Sequence, residues 1–338
     1  MDSEFSKCLS SPLFTFVVGQ ERKEITVHSR SLANLSSPLN NLMNGKMQEA
    51  NRRQADWSGV EEMTFVLLCE YAYTRDYTPP SCSKREIPQP PAETEDNIGT
   101  KEAEQASDQA SNAATDAATE QETAAVSDAP AEPETPTEPE IVDELKAEAT
   151  PEAEQLSTHF SGHTLPYREK SIWTQHLQDK FKTLSVQYTN SHNCALSARK
   201  DVFAPKGNSH PWEDFTPVFL GHAKLYILAD KYCILPLADL VLYKLETTLA
   251  QFNLCEENIS DVTELIRFSY QWTRPNDALR LLITTYVVSV LGQIGENTEF
   301  QELLMDGGFF VLDLWQIMWC KSDTKHTYER FRLYAKAT

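Results

Sequence analysis

Few residues in this chain have types and spacings that invite chemistry. His192-Asn193-Cys194 places an imidazole beside a thiol, the pairing used for a cysteine nucleophile. That chemistry needs the thiolate and the base about 2.6–3.2 Å apart, and adjacency along a loop does not supply such a geometry. His159, His163 and His176 could ligate a metal, but their spacing straddles the edge of a polar, aromatic-free stretch rather than a preformed ligand set. Gly307-Gly308 interrupts a helical pattern and lacks the residues that follow it in a phosphate-binding loop. No P-loop, GxGxxG, HExxH or GxSxG motif occurs. The 7 cysteines are odd in number and never spaced as CxxC, which reads as reduced thiols rather than a disulfide framework or a zinc ribbon. His28, at the end of a β-like run, reads as a packing residue with a local hydrogen bond. Trp173, Trp212, Trp272, Trp315 and Trp319 read as core or interface anchors, because no Lys or Arg residues interleave with them to form a nucleic-acid platform. The expectation is a protein without a catalytic residue, a bound cofactor or a metal.

The elements that carry these residues fall on either side of an acidic stretch. The formal charge is −20 over 338 residues, and Ala92 to Glu154, with 19 Asp/Glu against Lys101 and Lys146, accounts for −17 of it. The remainder is close to neutral at −3, which offers neither phosphate backbones nor an anionic membrane a basic face. Between Tyr77 and Phe160 there is no Phe, Trp or Tyr. A segment of Ala, Glu, Thr, Pro and Ser cannot bury enough apolar area to offset ordering entropy, so residues 79–158 are expected to be a disordered acidic insert. The N-terminus, Met1 to Ser10, has no apolar core of a secretory signal. The longest apolar run, Leu281 to Leu291, is well short of the roughly 20 residues a membrane span needs. An intracellular protein, cytoplasmic or nuclear, is expected.

Before the insert, Phe14 to Val18 and Ile25 to His28 flank the polar turn Gly19 to Glu24 and read as a β-hairpin. Ser29 to Leu35 reads as a helix with Ser29 as N-cap, Leu39 to Asn44 as a second helix closed by Gly45, and Met63 to Tyr73 as a third. After it come a short amphipathic helix over Ser171 to Leu184, a loop from Ser185 to Trp212, and helices over Phe219–Ala229, Leu235–Leu249, Ser260–Trp272, Asn276–Ile294 and Glu299–Met318, the last broken at Gly307-Gly308. This pattern is α+β, helix-dominated, with a small β-sheet.

These pieces, in this order, resemble the BTB/POZ domain. The hairpin Phe14-Thr15-Phe16-Val17-Val18-Gly19 with Ile25-Thr26-Val27-His28 and Ser31-Leu32 is similar to the family's opening, and Ser36-Ser37-Pro38-Leu39 to its "S-P-x-F" helix start. Trp57 to Val60 and Phe65 to Thr74 resemble the helix and strand ending in "Y-T-G", with Arg75 in the glycine's place. The most specific stretch, His222 to Tyr232, resembles the "A-D-K-Y" helix, and a long insert before it is a habit of fungal members. Pro12-Leu13 stands where the family carries an Asp before the first strand. The resemblance implies a BTB/POZ domain in two parts, 12–78 and 217–250. These are separated by the acidic insert and by a variable insert with one short helix over 159–216, and followed by a helical extension over 251–338. It implies a protein-interaction module that forms homo- or heterodimers. It also implies, as an alternative, an adaptor that recruits a cullin to a ubiquitin ligase through a hydrophobic-x-Glu motif, represented here by Met47 and Glu49. Physically a flexible Met fills an apolar pocket while a carboxylate fixes orientation. No second, substrate-binding domain is visible, so a substrate would have to meet the C-terminal helices or the insert.

Overall fold

In a computed structural model of the chain, the described residues are 3–85, 164–165, 172–196 and 201–319. The first helix, α1 (Glu4–Leu9), is capped by Ser3, whose hydroxyl accepts from the Ser6 N–H at 3.1 Å, and it buries none of its side chains. Strand β1 (Leu13–Val18) then pairs antiparallel with β2 (Lys23–His28), Phe14 opposite Val27 and Phe16 opposite Ile25. The alternation of Phe14, Phe16 and Val18 with smaller residues sends the large side chains to one buried face. Strand β2 leads directly into α2 (Ser29–Ala33), so the N-cap is His28 and not Ser29; the Ser29 N–H instead bonds the Pro12 carbonyl at 2.9 Å. Helix α3 (Ser37–Asn44) carries Pro38 in its first turn and a true cap, Ser36, bonded to the Leu39 N–H. Helix α4 (Gln48–Arg52) ends on Arg53 in the left-handed region and opens onto β3 (Gln54–Trp57), which lies parallel to β1 on the side opposite β2. The sequence pattern does not show β3, because four residues with only Ala55 and Trp57 buried are too few to display an alternation.

Helix α5 (Glu62–Thr74) buries Phe65, Leu68 and Tyr71, with the Phe65 ring against Phe16 and Trp57 of the sheet, and leaves Met63 and Val66 outward. Its C-cap, Arg75, has φ +63, the left-handed conformation that glycine adopts without cost. The chain does not lose its order at residue 79. The side chain of Pro80 lies so close to Gly221 that a Cβ there would sit 2.5 Å from it, and β4 (Ser83–Lys84) forms a two-stranded ladder with β5 (Glu213–Asp214). The rest of the expected disordered insert, residues 86–158, lies outside the described residues.

Helix α6 (Ile172–Leu196) is 25 residues long and continues well past Leu184, into what reads as loop in the sequence. Leu177, Phe181, Leu184 and Tyr188 form its buried stripe at helical spacing, and the polar residues after Leu184 hide the continuation. Helices α7 (Thr216–Lys231), α8 (Leu235–Ala250), α9 (Ile259–Trp272), α10 (Ala278–Ser289), α11 (Leu291–Ile294), α12 (Thr298–Met305) and α13 (Phe309–Trp319) follow. The single helix expected over Asn276–Ile294 breaks at Val290, where the Ser289 hydroxyl turns back to the Tyr286 carbonyl at 2.6 Å, and it starts at an Asp277 cap. Helix α7 packs on α5, α8 and α9; α10 packs on α6, α8, α9 and α13 and is buried along almost its whole length. The architecture is α+β and dominated by helices, with a three-stranded sheet of order β2-β1-β3. Among the described residues no helix is long and apolar enough to cross a membrane.

Candidate functional site: buried polar clamps and exposed faces

The densest polar cluster lies where the chain leaves α5. Asp76 and Lys244 form an ion pair at 2.6 Å with both side chains 1% exposed. The Lys244 ammonium also donates to the carbonyls of Tyr77 at 2.5 Å and Phe203 at 2.9 Å, and it sits 4.3 Å from the centre of the Tyr77 ring. The Tyr77 hydroxyl shares a 2.7 Å hydrogen bond with His222 Nδ1. Burial, with the Lys244 charge added, lowers the His222 pKa to about 3, and burial raises that of Tyr77 well above the usual phenol range. An acid, a tyrosine, a histidine and a lysine in contact have the composition of a proton relay. All four are fully enclosed, so no substrate reaches them, and the cluster ties the end of α5 to α7 and α8. No local signal marks it in the sequence, because Lys224 stands two residues from His222 and Glu246 two from Lys244, so neither is a lone polar residue among apolar neighbours.

A second clamp holds the segment after Tyr77. Arg85 donates to Asp261 at 2.6 Å and to the Ser260 hydroxyl at 3.0 Å. Asp261, itself buried, also accepts from the Phe215 N–H and the Thr216 hydroxyl, each at 3.0 Å. Burial raises the pKa of the Asp261 carboxyl, and these donors and the Arg85 charge pull against that rise. One carboxylate thereby joins β4, the start of α7 and the start of α9.

Of the residues singled out for chemistry, only part can be placed among the described side chains. His192, Asn193 and Cys194 fall within α6 rather than a loop. Their side chains, and His159 and His163, lie outside the described residues, while His176 is exposed on α6. Among the described residues no three His, Cys, Asp or Glu side chains gather as a metal site would require. Burial pushes the thiols of Cys69 and Cys255 up to about 12, which leaves both unreactive at neutral pH. His28 bonds through Nδ1 to the Tyr73 hydroxyl at 3.0 Å, a partner on α5 rather than a local one. Trp212 stacks on His210 at 4.3 Å between ring centres. The "A-D-K-Y" stretch has a packing role: Tyr232 stacks on Trp57 at 4.6 Å and closes α7 against the end of β3.

Other singled-out residues lie on the surface. Met47, 56% exposed, is the N-cap of α4, and Glu49 sits half-buried in that helix's first turn. On α1, Phe5 and Leu9 lie one turn apart, 58% and 48% exposed, and Leu13 at the start of β1 is exposed as well. An Arg30–Glu4 ion pair at 3.2 Å holds α1 to α2. A groove of about 550 Å³ between α6, α8 and α10, lined by Phe181, Ser185, Leu249, Tyr286 and Gln293, gathers no charged groups around a common point. Comparison with protein-family models, with curated proteins and with solved structures found nothing that matches this chain.

Proposed function

We propose that this chain is a BTB/POZ-type interaction module, a dimerising scaffold or regulator without catalytic activity that works inside the cell. The observation that carries the reading is α1. It buries none of its own side chains and places Phe5 and Leu9, one turn apart, on an exposed side, with Leu13 exposed at the start of the following strand. A short helix held to the domain mainly through polar contacts, with its apolar residues turned outward, is suited to a partner surface, and a second copy supplies the same surface in return. The order hairpin, paired helices, Met47-Gln48-Glu49 corner, β3 and α5 followed by α7 supports the same family assignment. Sedimentation of the full chain tests it. The wild type forms species of two or more chains at micromolar concentration, and Phe5→Asp with Leu9→Asp lowers the average mass. A wild type whose mass is that of one chain up to high micromolar concentration overturns the reading.

A second reading, a cullin-recruiting adaptor, is favoured by the exposure of Met47 at the free corner before α4, with Glu49 in the adjoining turn. Pull-down with a cullin N-terminal domain tests it. Met47→Ala with Glu49→Ala is expected to weaken capture about tenfold or more, the effect of removing one anchoring side chain and its orienting charge. Capture that the double variant does not change removes the assignment.

A further inference from the structure

Helix α13 faces the protein with Phe310 and Leu314 and turns a second apolar row outward. Phe309 is 59% exposed, Leu312 49%, Trp315 56% and Trp319 64%, and Met305 just before the Gly307-Gly308 turn is 78% exposed. The two tryptophan rings stack at 5.3 Å with planes 10° apart, so the row is a formed surface and not a set of independent side chains. The sequence of α13, FFVLDLWQIMW, carries a single charge, Asp313, and that carboxylate accepts from the Tyr270 hydroxyl of α9 at 2.8 Å. The outward positions 309, 312, 316 and 319 are separated by three, four and three residues, the a/d spacing of a helix that packs along another helix, with Gln316 as the one polar position inside the seam.

We propose that the outer face of α13 is a self-association surface, covered in solution by α13 of a second copy of this chain. Area argues for that occupant. Phe309, Trp315 and Trp319 leave exposed about half of the 150–250 Å² that an aromatic side chain can bury, roughly 300 Å² together. Leu312 and Met305 bring the row to the order of 500 Å², at the upper end of the largest apolar patch on a typical monomer. Paired with itself, the row covers about 1,000 Å², the size at which specific interfaces begin. Charge argues the same way. A neutral seam meets its own copy without repulsion, and −17 of the −20 is carried by residues 92–154, away from this helix in sequence. The interface is distinct from the α1 face and does not rest on it.

Sedimentation of five full-length proteins, with tryptophan emission read on dilution, tests the proposal: the wild type, Leu312→Glu alone, the α1 variant (Phe5→Asp with Leu9→Asp), and the α1 variant carrying in addition either Leu312→Glu or Gln316→Leu. In the α1 variant, association that remains belongs to α13, and its tryptophan emission shifts to the red as the protein is diluted. Adding Leu312→Glu weakens this remaining association by about tenfold or more, and adding Gln316→Leu in its place strengthens it. The strengthening arm separates loss of contact from loss of fold. An α1 variant that stays monomeric with fixed emission at all concentrations overturns the proposal. So does association that Leu312→Glu and Gln316→Leu leave unchanged, or association that increases when residues 320–338 are removed, which would mean that the chain covers its own helix. The α1 reading is judged separately, by whether Phe5→Asp with Leu9→Asp lowers the mass in the Leu312→Glu background.

Discussion

His222 is enclosed beside the Tyr77 hydroxyl, near the Lys244 ammonium, and this holds its imidazole neutral with a pKa near 3 against an ordinary value of 6.5. The unfolded chain takes up a proton at this residue as pH falls through 6.5, and the folded chain does not until about 3. The stability that His222 contributes is therefore complete above about pH 6.5 and is lost progressively as pH falls toward 3, at a limiting rate of about 1.4 kcal/mol per pH unit. Asp261 and Glu246, whose carboxyls burial raises, work in the opposite direction, so the histidine's share is read as a difference. Urea unfolding at pH 7 and pH 5 is expected to show His222→Gln losing about 2 kcal/mol less than the wild type between the two. Equal slopes would mean that His222 is not held neutral. None of this is legible in the sequence, where a histidine before Ala223 carries no sign that its partner is Tyr77, on the far side of the acidic segment.

At the scale of elements, apolar periodicity placed the hairpin, α3, α5, α7, α8 and α9 to within a few residues. It failed where an element is too short to have a period, as in β3, and where polar residues cover a buried stripe, as in the second half of α6. Between elements, Asp261 is the joint that the sequence could not announce. It satisfies a buried N–H at the start of α7, a hydroxyl on that helix and the guanidinium of Arg85. Asp261→Ala strands the Phe215 N–H and the Arg85 charge together, and a loss of about 3 kcal/mol is expected. Urea unfolding measures the loss, and faster hydrogen exchange at the Phe215 amide locates it. A variant as stable as the wild type would show that the joint is incidental.

For the molecule as a whole, the two described ends of the long acidic stretch are held by neighbouring parts of one segment. Arg85 is held by Ser260 and Asp261, and the Leu165 N–H by the Leu254 carbonyl at 2.9 Å. The chain departs and returns near residues 254–261. A long connection between fixed points costs closure entropy that changes only slowly with length. Excision of residues 92–154 is accordingly expected to leave the stability of the remainder within about 1 kcal/mol, measured by denaturant unfolding. A larger loss would make the acidic segment part of the fold.

The sequence by itself determined which residues are apolar at which period, and from that the class: a small hairpin, many helices and an acidic interval that interrupts them. It also located the acidity, because charge is a property of composition. Tertiary structure alone decided which polar residues meet. Asp76 finds Lys244, Tyr77 finds His222 and Arg85 finds Asp261 across more than a hundred residues of chain, and no local rule links positions that far apart. It also decided which apolar residues stay outside. Trp315 reads in the sequence as a core or interface anchor, and only the packing of its helix leaves it facing water, as it does Phe309 of the same helix and Phe5 and Leu9 on α1. A hydrophobic side chain is driven to be covered, but whether its own chain or another covers it depends on the shape of the whole fold.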